Sequence, residues 1–360
     1  MMKEVNNAFA RHINEELDGI DGRPVVVKSC DDHGDPAKTT QCVNNLIDDG
    51  AVAFVNNSSL AFGANALPAM EKAGLVNIGG WPVSAAEYAS DHEFLTSPGA
   101  SGSYPSLAVF FRAKGAESLT MMYSNTPSGQ AASDQVEALW TSLGGSEYTG
   151  VEFDPAAPDF TPAVSKTAGV KADAVILAAG EGPAPRLFQA VEIAKIDGMV
   201  GATSAAAGKK VQETAGKAMN GIHFSMAAVP PDFDSEDAKT YTQVMKKYAP
   251  DTELSNQAAV AASGMMFTYD TLEGVSGDIT KESVLAQLEK TPTWDGFLTH
   301  AYDRAGAPEG MPAVGNPYNL VAQYEDGALA PVGVDAAGDL ADYLQVDGDL
   351  TWISGTPKKN

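Results

Sequence analysis

The chain has 360 residues, 44% of them hydrophobic, and a formal net charge of −24. That length exceeds one ordinary domain, so two lobes are expected. The charge excludes nucleic acid and anionic membrane surfaces, whose phosphates call for clustered Lys and Arg. No apolar run nears the ~20 residues of a membrane helix. No basic segment leading into an apolar one opens the chain, so an export signal is expected upstream or already removed.

Val5, Phe9, Ile13 and Leu17 fall at steps of four and predict an opening helix with one apolar stripe. Gly19 to Gly22 is a turn, and 25–28 reads as a buried strand. Asp35 is an N-cap with Pro36 at the first helical position, and Thr39, Val43, Leu46 and Ile47 give that helix its face. Strand 52–55, the polar loop Asn56-Asn57-Ser58-Ser59, helix 62–72 and strand 75–78 follow. A break rich in Gly, Ser and Pro over 96–102 marks a crossover.

A second series alternates helices 104–114, 131–143, 163–169, 186–195 and 209–215 with strands 118–123, 148–153, 174–178, 199–200 and 221–225. Helices 236–248, 257–274 and 281–289 come next, then short strands within 295–310 and 318–325. An Asp-Gly turn at 326–327 joins 319–323 to 329–332 as a hairpin, and the tail is a short strand with a basic end. Strands alternating with helices imply an α/β fold of two doubly wound parallel-sheet lobes. In such sheets ligands sit beyond the carboxyl ends of the strands. In the first lobe those loops are 30–35, 56–61 and 79–84.

Cys30 and Cys42 stand twelve residues apart with no second pair to complete a zinc site. An even, closely spaced count suggests a disulfide and an oxidising compartment, against the alternative of two buried thiols. His12, His33, His92, His223 and His300 show no metal spacing, and the acidic loop around His33 lacks the twelve-residue calcium pattern. No G-x-S-x-G elbow, phosphate loop or dinucleotide fingerprint appears, so no cofactor, metal or catalytic residue is expected. A flavodoxin-like or glycosyltransferase enzyme is the weakest reading.

The run INEELDGIDGRPVVV through DDHGDPAKTTQCVNNLIDDGAVAFVNNSS resembles the type I periplasmic binding proteins, and more narrowly the branched-chain amino acid receptors of ABC importers. LPAMEKAGLVNIGG, FLTSPGASG, PDFTPAVSKTAGVKADAVILAAG and AMNGIHFSMAAVPP extend the likeness over nearly the whole chain. It implies two lobes joined by a three-strand hinge, with solute held between them. The N-terminal lobe would take 1–98 and 228–300, and the C-terminal lobe 99–227 and 301–360. Hinge crossings would lie near 96–101, 225–230 and 298–320. The family's first strand and Gly-rich loop precede the helix that opens here, and its second Cys lies at the Ser-Ser loop.

The resemblance also implies the site. Asn57, Ser58 and Ser59 match the loop that holds a ligand carboxylate on a hydroxyl and helix amides, where a serine would serve equally as a cap. Gly80, Trp81, Pro82 and Ser84 occupy the next tip. Pro82 and Val83 replace much of the family's amino-acid grip, while Trp81 offers a stacking wall or lobe-core packing. In the second lobe the tips carry Thr126 and Ser128, Gly180 and Glu181, and Thr203 and Ser204. Thr203 stands where amino-acid receptors place an acid, and Glu181 is either its substitute or an ordinary helix-end charge. The implied ligand is a small carboxylate or polar organic solute, aromatic or aliphatic, in preference to a leucine-like amino acid. The implied protein is a periplasmic or extracellular monomer that serves an ABC permease, with any lipid anchor on a segment outside this sequence. A ligand-sensing ectodomain shares the fold.

Overall fold

The opening helix forms as its spacing requires. In the computed structural model, which describes residues 1–334 and 338–358, α1 (Met2–Glu16) buries Val5, Phe9 and Ile13 on one stripe. The chain makes two units: residues 1–100 with 231–317, and 101–230 with 318–358.

The first unit continues with α2 (Pro36–Asp48), β1 (Phe54–Val55), α3 (Phe62–Asn65), α4 (Leu67–Lys72), β2 (Asn77–Ile78), α5 (Ala85–Ala89) and β3 (Glu93–Phe94). The three strands pair in parallel in the order β1-β2-β3. Asp35 caps α2 by accepting from the amides of Ala37 and Lys38, with Pro36 following it. The expected helix 62–72 is split at Ala66, because Pro68 has no N–H to continue the ladder of the preceding turn. The expected buried strand 25–28 is not a strand. Asn14 brackets Val25 from its side-chain amide, Val26 is 75% exposed, and no neighbouring strand pairs with the segment.

The second unit runs from α6 (Gly99–Ala113) through β4 (Ser118–Ser124), α7 (Pro127–Ser142), β5 (Glu147–Phe153), α8 (Thr161–Val170), β6 (Ala174–Leu177), α9 (Ala184–Ala194), β7 (Met199–Thr203), α10 (Lys209–Ala215) and β8 (His223–Met226). The chain then returns to the first unit with α11 (Glu236–Tyr248), α12 (Asn256–Glu273), α13 (Lys281–Lys290), β9 (Thr293–Trp294) and β10 (Tyr302–Asp303). Phe9 of α1 packs on Tyr241 and Phe297, so the returning segment completes that core. Last come β11 (Tyr318–Glu325), β12 (Ala328–Pro331), β13 (Leu344–Asp347) and β14 (Leu350–Ser354) in the second unit. Lys359 and Asn360, part of the expected basic end, lie outside the described residues.

The second unit's sheet has nine strands in the order β13-β14-β11-β8-β7-β6-β4-β5, with β12 on β11. Its five central-to-edge strands, β4 to β8, are parallel as expected, while β11 to β14 pair antiparallel and make the sheet mixed. The Asp326-Gly327 hairpin is present, with both residues at positive φ. Residues 301–317 pack in the first unit, whereas the sequence reading gave them to the other lobe. Tyr302 lies against Phe267, β10 pairs with β9, and Val314 bridges Leu95.

Cys30 and Cys42 form a disulfide with a Cα separation of 5.7 Å, tying the loop before α2 to the helix itself. A loop this size contributes roughly 3 kcal/mol in the chain-entropy description. Reduction should therefore lower the melting temperature of native protein, and mass measurement before reduction should find no free thiol. Unchanged melting in reductant would remove the staple from the stability account.

Candidate functional site

The strand ends of the first unit are knitted together by Asn57. Its backbone N–H donates to Asn77 Oδ1 at 3.3 Å, and its side-chain amide donates to Glu87 Oε1 at 3.4 Å. Its carbonyl accepts the Trp81 amide at 3.1 Å, and its Oδ1 accepts the Ser59 amide at 3.4 Å. Asn57 thus places Trp81 and Ser59 on one residue. Gly80 holds φ at +99°, and a Cβ there would stand 2.5 Å from the Asn57 carbonyl, so the approach of the two loops requires glycine.

The three residues after Asn56 have different fates. Ser58 is exposed. The Ser59 hydroxyl donates to Asp32 Oδ2 and accepts from the Ala61 amide at 3.2 Å. Thr39 donates to the same Asp32 oxygen at 2.5 Å, and the Gly34 amide donates to Oδ1 at 2.9 Å. Burial works against the Asp32 charge, but the bonds from Ser59, Thr39 and Gly34 outweigh it and hold the carboxyl below its ordinary range. The helix expected to lend its amides is the four-residue α3, too short for an appreciable end charge.

At the next tip Trp81 is half-buried. Pro82 is buried, and its carbonyl accepts the Tyr88 hydroxyl at 2.9 Å. Ser84 caps α5 in a reciprocal box with Glu87, whose Oε2 accepts from the Ser84 hydroxyl at 2.7 Å and from its amide at 3.0 Å. Burial raises the Glu87 pKa, opposed by those bonds. Behind it lies Glu93 of β3, fully buried. Its Oε2 accepts from Asn77 Nδ2 at 2.7 Å, while Oε1 has no partner. Burial drives the Glu93 pKa well up; the Asn77 bond opposes this, and the Glu87 and Glu71 charges add to it.

In the second unit Thr126 is the N-cap of α7, its hydroxyl accepting the Gly129 amide at 3.1 Å and lying 3.2 Å from the exposed Ser128 hydroxyl. Gly180 and Glu181 are exposed just ahead of α9. Thr203 ends β7 and is hydrogen-bonded to the Tyr104 phenol, whose pKa is raised by burial and opposed by that bond. Ser204 is buried in the short helical turn that follows. A cavity of about 340 Å³ at the end of β5, lined by Phe153, Phe160 and Lys166 among others, includes none of the expected site residues.

Asp32, Glu87 and Tyr104 bond to expected site residues without having been expected there themselves, and Glu93 is buried in the neighbouring strand. For Asp32 the only signal was its place in a strand-end loop. Among the described residues no group of three metal-ligating side chains is arranged around an ion.

The periplasmic binding protein family model matches residues 2–320. The chain belongs to that family. None of the curated proteins compared is a significant match. Among solved structures, a fatty acid ABC transporter substrate-binding protein from Thermomonospora curvata is 17% identical with a TM-score of 0.75, over 99% of this chain and 90% of that one. A branched-chain amino acid transporter substrate-binding protein from Streptococcus pneumoniae, solved with isoleucine, is 17% identical with a TM-score of 0.72, over 92% and 93%. An ABC transporter solute-binding protein from Rhodopseudomonas palustris BisB5, solved with 3,4-dihydroxybenzoic acid, is 16% identical with a TM-score of 0.71, over 99% and 92%. These likenesses show that this periplasmic binding protein has the type I fold, as its motifs implied. No helix among its described residues is long and apolar enough to cross a membrane.

Proposed function

We propose that this periplasmic binding protein is the extracytoplasmic receptor of an ABC importer. It captures a small polar organic solute on the strand-end loops of its units and delivers it to a permease without chemistry. The observation that carries the reading is the junction at Asn57, which fixes two loop tips together with Ser58 exposed and Trp81 half-buried beside it. Fixed tips bind with little ordering cost. Trp81 suits a solute with a flat or apolar body. The three structural relatives are a fatty acid transporter's binding protein and receptors solved with isoleucine and with 3,4-dihydroxybenzoic acid, so the fold alone does not choose among such bodies.

A thermal-shift panel of aromatic and aliphatic amines, acids, amino acids and neutral solutes tests this, because ligand binding to the folded state raises its melting temperature. At least one class should shift the protein, and Trp81→Ala should weaken that probe about three- to tenfold. A protein that no class shifts would not be a receptor of this kind.

A further inference from the structure

Resting on that receptor reading, we infer that Glu93 is a positioning residue of the first unit's candidate site. Through Asn77 it holds the loop tips that meet at Asn57, and it does so as a neutral, protonated acid. The inference starts from Asn77 of β2, whose side chain ties the ends of all three strands. Its Oδ1 accepts the Asn57 amide at 3.3 Å, while its Nδ2 donates to the Gly79 carbonyl at 3.1 Å and to Glu93 Oε2 at 2.7 Å. Asn57 lies just beyond β1, Gly79 ends β2, and Glu93 stands on β3 in register with Asn77. The Glu93 bond is the shortest of the three and helps fix which way the Asn77 amide points. With that amide reversed, its oxygen would face two oxygens and its N–H would face the Asn57 N–H.

Two acids converge on this junction in opposite circumstances. Glu87 takes the Asn57 side-chain amide on Oε1 at 3.4 Å. Its Oε2 takes the Val83 amide at 3.3 Å, the Ser84 amide at 3.0 Å and the Ser84 hydroxyl at 2.7 Å. That is the bonding of an ionised carboxylate, which only accepts. Glu93 is fully buried, receives one donor and leaves Oε1 without a partner. Such a place desolvates a charge without offsetting it, so it favours the neutral acid. The groups around it do not change that. Glu87 of α5 and Glu71 of α4 bear like charge toward it. Arg304 donates to the backbone carbonyls of Glu93 and Asp91, at 3.1 and 2.9 Å, and lies near the Asp91 carboxylate. The His92 ring is bonded to the Leu75 carbonyl at 2.7 Å. Two neighbouring acids that call for opposite protonation states make a proton-sensitive unit. Ionising Glu93 sets a second buried charge beside Glu87, and opening the junction to water relieves it.

Hydrogen exchange of the full chain without added solute, corrected for the intrinsic pH dependence of exchange, tests this. The amides of Asn57 and Trp81 bond across the junction, and their protection should fall by about tenfold or more between about pH 5.5 and 8.5. The Ala178 amide, bonded to the Met122 carbonyl in the second unit, should keep its protection over that range. Glu93→Gln retains an acceptor for Asn77 and should hold the junction near its low-pH protection throughout. Glu93→Ala removes the acceptor and should lower junction protection several-fold at every pH. If that variant fails to fold, the wild-type and Glu93→Gln courses carry the test. A role in global stability alone would give the pH slope only to the slowest amides and leave Asn57 and Trp81 flat. Flat junction amides in the wild type, a slope shared equally by Ala178, or a Glu93→Gln protein that keeps the wild-type slope overturns the inference. None of these outcomes touches the receptor reading, which a blank thermal-shift panel alone would remove.

Discussion

Replacing Glu93 with Gln should stabilise the protein, and the gain should grow as pH rises. Glu93 is fully buried with one oxygen unpartnered, and burial lifts its pKa well above the ordinary 4.5. Above pH 4.5 the unfolded chain has released this proton while the folded protein still holds it. Stability from the protonated group is thus complete below that pH and declines as pH climbs toward and through the folded value. The decline reaches about 1.4 kcal/mol per pH unit. Glutamine keeps an oxygen to accept from Asn77 Nδ2 and carries no charge to desolvate. Denaturant unfolding between pH 5.5 and 8.5 should show a falling wild-type curve and a flatter Glu93→Gln curve lying above it. Parallel curves would mean that the carboxyl is ionised and satisfied in a way its surroundings do not provide.

Glu93 also shows where sequence reading stops. The stretch around it reads as polar chain entering a crossover, and nothing local marks position 93 as buried. Its environment is made by Asn77 across the strand pair and by the charges of Glu87 and Glu71. The same is true of Asp32, whose partner Ser59 lies 27 residues away. By contrast, the stripe of α1, the cap and proline of α2, the strand-helix rhythm and the Asp-Gly hairpin depend on neighbours in sequence, and each was legible. The Ser-Ser loop was legible as a tip, while the partner of its second hydroxyl was not. Propensity also misled at 25–28, where three valines in a row suggest a strand but only a paired neighbour makes one.

A single added methyl group at Gly264, in the middle of α12, should cost several times what helix propensity would return. Glycine inside a helix normally costs about 1 kcal/mol relative to alanine, so Gly264→Ala would be stabilising on propensity alone. Here a Cβ would fall 2.0 Å from Asn56 Oδ1 and 2.9 Å from its Cγ. Asn56 cannot step aside freely. It sits at φ +57°, and its amide donates to Asn6 Oδ1 at 2.8 Å and to the Ala261 carbonyl at 2.7 Å. Gly79, at the strand-end loop, closes the other side, for its own Cβ position is 2.6 Å from the Gly264 Cα. Moving the Asn56 side chain would strand buried polar groups as well as crowd the helix, so the net cost should be about 2–4 kcal/mol. The melting temperature should drop by roughly 5–15 °C for a unit of this size. Coupling distinguishes this account from a general intolerance of α12: in an Asn56→Gly background the same alanine should cost at least 1 kcal/mol less. Strictly additive penalties would show that the obstruction lies elsewhere. Because Asn56 immediately precedes Asn57, the junction of both loop tips, Gly264→Ala should also weaken whichever probe the wild type binds, although Gly264 itself lies in the helix behind that junction.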